Sequence, residues 1–399
     1  MTTEAVVDLA ALGEDFRRDP YPLYAELRAR GPVHRVLMPE GHEAWLVVGY
    51  EAGRAALSDA RLSKVWAKAA PRLELRQKAA GRTMLSSDPP SHTRLRRLAA
   101  REFTPRRVAA MEPRVREIAG GLLDAMAAEP SRRADLVDAL AFPLPIAVIC
   151  ELLGVPFLDH DRFRHWSNTS LGGAEPDARR AAEEALNGYL GALLAAKRAM
   201  HGDDLMSALI HTADEDGDRL SGEELLGMAW LLLVAGHETT VNLIANGVLA
   251  LLTHPDQWAA LRADPDGLLD GAVEEILRYD GPVETTTFRF TTEPVPIGGA
   301  VIPGDGQLVL IAIGDAGRDG ARFPGPDAFD IRRDTRGHLA FGHGLHYCLG
   351  APLARLEARI ALRGLLERFP GLALDADPGT LSRRGGLLIR GPERLPVRW

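Results

Sequence analysis

Residues 341–350 read Phe341-Gly342-His343-Gly344-Leu345-His346-Tyr347-Cys348-Leu349-Gly350, a glycine-studded run holding one of the chain's two cysteines. A helical pattern starts directly after it. Pro352 falls in a first turn, where a missing N–H does no harm, and Leu353, Leu356 and Ile360 recur at helical spacing. A cysteine at a helix N-terminus is favoured as thiolate by the positive end of the dipole. Gly342, Gly344 and Gly350 let the backbone turn sharply and lie close to a large flat ligand. Other readings compete. A lone cysteine is often a small buried hydrophobe. A dinucleotide loop fails, because G-x-G-x-x-G requires glycine where Tyr347 stands. Zinc would need a second Cys/His pair at suitable spacing, and none follows His346 and Cys348. A Cys/His nucleophile pair stays open.

A second group lies at the centre of a long apolar stretch, Ala235-Gly236-His237-Glu238-Thr239-Thr240. A glycine inside a helix costs roughly 0.5–1 kcal/mol relative to alanine, so Gly236 asks for a reason. Thr239, four residues past Ala235, can bond back to that carbonyl and bend the helix. Together they can open a notch, with Glu238 and Thr239 placing an acid and an alcohol side by side for proton transfer. A glutamate satisfied by local partners is the plainer reading, but on so apolar a helix an unpaired Glu238 is expensive. A third group follows Asp88-Pro89-Pro90-Ser91: His92 and Arg96 are four apart and project from one helix face, able to grip carboxylates. Glu275 and Arg278, three apart, are suited to an ordinary surface ion pair.

These groups need positioning elements. Leu23–Arg30 and Tyr50–Leu57 read as helices, and 33–48 as a hairpin turning near Pro39-Glu40-Gly41. From Arg114 to Leu153 the pattern is helix after helix, with Pro143 and Pro145 as interruptions. Phe157–Ser170 and Arg179–Met200 are further helices, joined by the Gly172-Gly173 linker as a candidate hinge. The run Asp214-Glu215-Asp216-Gly217-Asp218 marks an exposed turn. Ser221 with Glu224 three residues on caps the long helix, and Arg289 to Ile313 is β-rich. The segment 63–87 lacks periodicity and carries six basic residues against the acid Glu74, as a binding lid or a solvated basic surface would.

Composition narrows the class. The chain has 399 residues, 46% hydrophobic and 26% charged, which is ordinary for a soluble enzyme. A net charge of −8 argues against wholesale nucleic-acid binding, and two cysteines make no disulfide framework; Cys150 reads as core. No signal-peptide pattern is visible at the N-terminus. Residues 225–252 are long enough to span a bilayer, but His237 and Glu238 near the middle make a buried core helix the better reading. The expected location is cytoplasmic.

The string at 341–350 resembles the haem-ligand loop of the cytochromes P-450, F-G-x-G-x-H-x-C-x-G, at every specified position. The D-P-P-x-H-T-x-x-R form at 88–96, A-G-x-E-T-T at 235–240 and E-x-x-R at 275–278 resemble the same family's motifs in the same order. The resemblance implies one mainly α domain over residues 1–399 with small β-sheets, and haem b between the long central helix and the cysteine loop. It makes Cys348 the axial thiolate, which favours O–O cleavage. His92, Arg96, Arg289 and His346 would hold the propionates, Ala235, Gly236, Phe341, Gly342 and Gly350 would line the cofactor, and Glu238 and Thr239 would steer protons. The implied reaction uses O₂ and inserts one oxygen into a C–H bond or an alkene. Leu85, Val234, Ala235, Glu238, Val283, Thr285 and Leu387 are the residues this implies for substrate contact. Glu275–Arg278 would be the family's structural pair. Ala316-Gly317-Arg318-Asp319 departs from the commoner Ala-Asn-Arg-Asp, which puts the local packing in question.

With no flavin or ferredoxin segment left over, electrons come from ferredoxin and ferredoxin reductase. Arg94, Arg97, Arg101, Arg106 and Arg107 form either a dock for an acidic ferredoxin or ordinary surface. Long stretches, 19–22, 231–252 and 338–360, look like actinobacterial macrolide hydroxylases. The substrate implied is a macrolide or related polyketide, and the basic 63–87 loop favours a neutral or anionic macrolactone over an amino-sugar macrolide. A terpenoid or steroid is the alternative substrate. A peroxide-driven enzyme and a haem-based gas sensor or carrier are the alternative functions; the Glu238–Thr239 pair argues against the first, the lack of an output domain against the second.

Overall fold

The computed structural model describes the chain apart from residues 1–5, 10, 40, 74–81, 102, 157–161, 164, 167, 168, 170–174, 201, 203 and 212–218. The expected helix Phe157–Ser170, its Gly172-Gly173 linker, the acidic turn and part of the 63–87 segment therefore lie wholly or partly outside the described residues. The rest is mostly helical with small sheets. It divides into two compact units interleaved along the chain: residues 1–76, 242–348 and 372–395 form one, and residues 77–241, 349–371 and 396–399 the other.

The first unit is built on a six-stranded sheet. Its strands are β1 (Val7–Asp8), β2 (Val33–Leu37), β3 (Glu43–Val47), β4 (Leu62–Ser63), β6 (Arg289–Thr291) and β9 (Leu308–Ile311), in the order β1-β2-β3-β9-β6-β4. The expected hairpin is β2–β3, antiparallel with Arg35 opposite Trp45, and its turn closes through Met38 N–H to His42 O at 2.9 Å. Between β6 and β9, β7 (Val295–Ile297) and β8 (Ala300–Ile302) form a separate hairpin. Two apolar clusters pack this unit. One joins Tyr24 and Leu27 of helix α2 (Tyr21–Arg30) to Leu46, Phe290 and Leu310; the other joins Ala56 and Leu57 of α3 (Tyr50–Ser58) to Val47, Val309 and Ile311.

The second unit is helical: α4 (Ser91–Ala100), α5 (Pro105–Ala127), α6 (Pro143–Leu153), α7 (Pro176–Ala199), α8 (Leu205–His211) and α13 (Ala351–Arg368). The short strand β5 (Arg133–Asp135) pairs with the terminal strand β11 (Pro396–Arg398). Pro143 and Pro145 do not interrupt a helix, as expected, but start α6: in a first turn the missing N–H bonds nothing. The 32-residue helix α9 (Gly222–Thr253) contributes its residues to Val241 to this unit and those from Asn242 to the other. Its start is the expected reciprocal cap. Glu224 N–H donates to Ser221 Oγ at 3.2 Å, and Ser221 N–H to Glu224 Oε2 at 2.9 Å. In the first unit α10 (Pro255–Ala263), α11 (Pro265–Asp280) and α12 (Ile313–Ala316) follow, with a two-residue strand β10 (Ala373–Leu374) beyond α13.

Candidate active site

The cysteine loop takes its shape from its own backbone. Leu339 O accepts from Gly342 N–H at 2.7 Å, Gly344 O from Tyr347 N–H at 3.1 Å, and Phe341 O from Cys348 N–H at 2.9 Å. Gly342 and Gly344 sit at φ +73° and +71°, where a side chain is strained. Gly350 has an ordinary φ of −82° and no chain atom within 4 Å of where a Cβ would stand. A turn is thus not the reason for that glycine, and close approach of a ligand is what remains of the sequence argument. Cys348 is exposed. His338 braces the loop from behind. Its Nδ1 accepts from Ala340 N–H at 3.2 Å, so Nε2 carries the hydrogen given to Glu274 Oε2 at 2.9 Å.

The same unit holds Arg289, Val283, Thr285 and Leu387. Arg289 is buried and its guanidinium lies 3.4 Å from Leu62 O. Val283 bridges to Ile389, while Leu387 O accepts from both the N–H (3.0 Å) and the hydroxyl (2.8 Å) of Thr285. Two distant parts of the chain thereby make one wall. Glu275 and Arg278 are not the surface pair their spacing suggests. Both are fully buried; Arg278 Nε is 2.7 Å from Glu275 Oε2, and Nη1 donates to Gly317 O and Pro326 O at 2.7 Å each. The departure at Gly317 has a physical reason, since a Cβ there would lie 2.2 Å from Arg278 O.

The second unit holds the other predicted residues. Along α9, residues 231–234 and His237, Glu238 and Thr240 are buried, whereas Ala235 is exposed and Gly236 and Thr239 are half-buried. A short strip of an otherwise buried helix is thus left open. The Thr239 hydroxyl donates to Ala235 O at 2.9 Å, as its spacing predicts. Gly236 has a packing reason the sequence did not give: a Cβ would stand 2.8 Å from Ile149 Cδ1 of α6. His237, singled out by nothing in the spacing, proves to be Glu238's neighbour, with Nε2 3.3 Å from Oε1. On α4, His92 is buried and Arg96 half-buried. Burial, with the Arg96 cation beside it, pushes the His92 imidazole below its usual range. Leu85 packs with Met84, Ala99, Met228, Leu231 and Leu349; Val234 is buried. Gly350 and the start of α13 also belong here.

Comparison with known proteins decides what these parts belong to. A family model described as "Cytochrome P450" matches residues 177–393. The cytochrome P450 monooxygenase PikC of Streptomyces venezuelae is 60% identical over 394 residues, covering 99% of this chain and 94% of its own length. The chain belongs to the cytochrome P450 family. The mycinamicin IV hydroxylase/epoxidase of Micromonospora griseorubida is 45% identical over 94% of each chain. A structure of the tirandamycin C-bound P450 monooxygenase TamI matches with a TM-score of 0.91 at 45% identity, covering 98% of this chain and 99% of that one.

This P450 is a monooxygenase with the family's haem-thiolate iron cofactor, and the chain's own residues fit that group. Cys348 is an exposed sulfur on a loop whose glycines keep side chains away, between residues 231 and 251 α9 is open only at Ala235, Gly236 and Thr239, and His92 with Arg96 offers two donors from one face. Among the described residues the one helix long and apolar enough to cross a membrane is α9, and 78% of its most apolar window is buried inside the fold, as a core helix is.

Proposed function

We propose that the whole chain works as one domain that binds haem b through Cys348 and oxidises a macrolide or related polyketide. When bound, haem supplies the activation of O₂ that puts one oxygen atom into the substrate. His92, Arg96, Arg289 and His346 would neutralise the propionates, and Ala235, Gly236, Phe341, Gly342 and Gly350 would lie against the ring. The observation that carries the reaction type is the pair on α9. Glu238 is an acid at 1% exposure, and next to it Thr239 stands on the open strip with its hydroxyl hydrogen given to Ala235 O. That leaves the Thr239 oxygen able to accept a proton relayed from Glu238.

Leu85, Val234, Ala235, Glu238, Val283, Thr285 and Leu387 would touch the substrate. Thr285 has already given its hydroxyl hydrogen to Leu387 O, so the wall they share offers contact area more than hydrogen bonds. Relatives named for mycinamicin IV and bound to tirandamycin C support a polyketide. The basic 63–87 segment supports a neutral or anionic macrolactone over an amino-sugar macrolide. Electrons would come from ferredoxin and its reductase in the cytoplasm. Arg97, Arg101, Arg106 and Arg107 are exposed, as docking would need, whereas Arg94 is half-buried against Glu224.

A Soret titration with matched macrolactones and their amino-sugar glycosides tests the substrate. A low-to-high-spin shift with the macrolactones supports the reading. A shift with glycosides alone, or with a terpenoid or steroid alone, overturns the substrate class and leaves the chemistry standing.

A further inference from the structure

Behind the Val283–Thr285–Leu387 wall, the first unit buries a group of charges that the proposed reaction does not use. The wall is a short ladder. Arg390 N–H donates to Pro282 O at 2.9 Å, and Glu284 N–H to Leu388 O and Thr285 N–H to Leu387 O at 3.0 Å each, with Val283 opposite Ile389. Side chains alternate across such a ladder. Val283 and Ile389 are half-buried on one face, and Glu284 and Arg390 are buried together on the other.

That buried face meets titratable groups from several elements. From α2, the Tyr24 hydroxyl donates to Glu284 Oε1 at 2.6 Å and the Tyr21 hydroxyl to Asp280 Oδ1 at 3.0 Å. Asp280, at the end of α11, accepts from Arg390 Nε at 2.7 Å and from Arg383 Nη1 at 3.3 Å. Arg318 lies over the Tyr21 ring, 4.1 Å from its centroid, and is paired with Asp327. On the α12 side the Glu284 carbonyl accepts from Gly314 N–H at 3.0 Å. Asp280 is thus one anion between two cations, Arg383 and Arg390. An ionised Glu284 brings the four to neutrality; a protonated one leaves a surplus cation.

Arg390 is the arm that feels the difference. Its Nε is given to Asp280, and Nη1 and Nη2 to Arg17 O and Arg18 O at 2.9 and 2.8 Å. Nη1 has a second hydrogen, and Glu284 Oε2 lies 3.9 Å from that nitrogen. This is about 1 Å beyond the reach of a charge-assisted hydrogen bond. An ionised Glu284 attracts the guanidinium across that gap, and a protonated one does not. Both residues are also rungs of the ladder, so closing the gap tightens the backbone that carries Val283, Thr285 and Leu387.

We propose that Glu284 is a positioning residue for this wall: its carboxylate draws in Arg390 and fixes the ladder, protonation releases it, and substrate binding follows. This rests on the reading that the wall touches substrate. Burial raises the Glu284 carboxyl to about 7, with Arg390 and Tyr24 pulling the other way. The ionised form, which binds, prevails above that value, so affinity rises with pH. Apparent affinity scales with the competent fraction, which here goes from about one tenth at pH 6 to about nine tenths at pH 8.

The test is a Soret-shift titration of the haem-loaded protein with a neutral macrolactone, which has no proton of its own to lose. Its Kd should fall about three- to ninefold from pH 6 to pH 8. Glu284→Gln keeps the acceptor for Tyr24 and cannot ionise. Its Kd should stay flat within about twofold, at the weak value that the unsubstituted protein shows at pH 6. Tyr24→Phe removes a hydrogen bond that favours the carboxylate, so its midpoint should move to higher pH. A merely structural role would weaken binding by one factor at every pH. A flat Kd in the unsubstituted protein, a pH dependence unchanged in Glu284→Gln, or an unmoved midpoint in Tyr24→Phe overturns the proposal. Val283→Phe separates it from the reading beneath. If that variant leaves Kd and product pattern unchanged, the wall does not touch substrate and both fall. If it alters them while Kd is flat in pH, the reading stands and the proposal alone falls.

Discussion

Three buried carboxyls in this chain differ in state because their neighbours differ. Burial pushes Asp280 up, but Arg390, whose Nε lies 2.7 Å away, and Arg383 at 3.3 Å outweigh it and hold the group well below the usual carboxylate range. Glu357, on α13, is raised well above that range by burial alone, and its Oε2 has no hydrogen-bond partner among the described residues. Glu284 lies between these cases. Burial raises it to about 7, offset in part by Arg390 at 3.9 Å and by the Tyr24 hydroxyl at 2.6 Å. A carboxyl whose folded pKa is raised stabilises the fold fully below its unfolded value of 4.5, and loses that contribution as pH rises to about 7. Glu284→Gln keeps the acceptor for Tyr24 and removes the titration. It should raise stability at pH 7.5 by on the order of 2–3 kcal/mol relative to its effect at pH 4, read from urea midpoints at both pH values; equal effects at the two would refute the assignment. The cysteine loop and the Glu238–Thr239 pair stand out in the sequence because each lies in a run of fixed residue types and spacing. The sequence could not show the Asp280–Glu284–Arg390 cluster, whose members meet only through the fold, nor the approach of His237 to Glu238.

Elements were legible where local chemistry decides them and obscure where packing does. The cap of α9 was readable because Ser221 and Glu224 satisfy each other's backbone N–H without help from elsewhere. Ser221→Ala removes one half of that exchange and should cost about 1 kcal/mol in chemical denaturation. No measurable change would mean that water serves the freed N–H equally well. Pro143 and Pro145 misled because a proline reads alike as a break and as a first turn, and only the preceding backbone separates the two. Gly317 is the opposite case, a departure from the family's commoner asparagine that looks like a defect until Arg278 is in place. Arg278 spans Gly317 O, Pro326 O and Ala328 O, so it ties α11 to the segment leading to the cysteine loop. Gly317→Asn would press a side chain onto Arg278 O, costing about 1–3 kcal/mol by overpacking. Thermal melts should show the loss, with Arg278→Ala worse still, since it takes the nearer of the two arginines from the buried Glu275 and leaves Arg333 at 3.4 Å.

At the scale of the whole molecule, charge is unevenly distributed. The chain carries −8 overall, yet Arg97 of α4, Arg101 just past its end, and Arg106 and Arg107 of α5 are exposed within a stretch of eleven residues. If electrons arrive from a separate acidic ferredoxin, as proposed, such a patch would act chiefly on encounter rate, because facing charges steer diffusion before any contact forms. An acidic ferredoxin suits the patch, whereas the remaining acidic surface would repel it. Steering is screened over about 8–10 Å at physiological salt, so it leaves a signature that a structural role would not. Reversing Arg101 and Arg106 to glutamate should slow second-order reduction by an acidic ferredoxin about tenfold at low ionic strength, and the gap should close as salt rises towards 1 M. The haem spectrum and the substrate-induced Soret shift should be unaffected. A defect that persists at high salt would mean that the arginines hold the fold. Equal rates at low salt would move the docking site elsewhere on the surface.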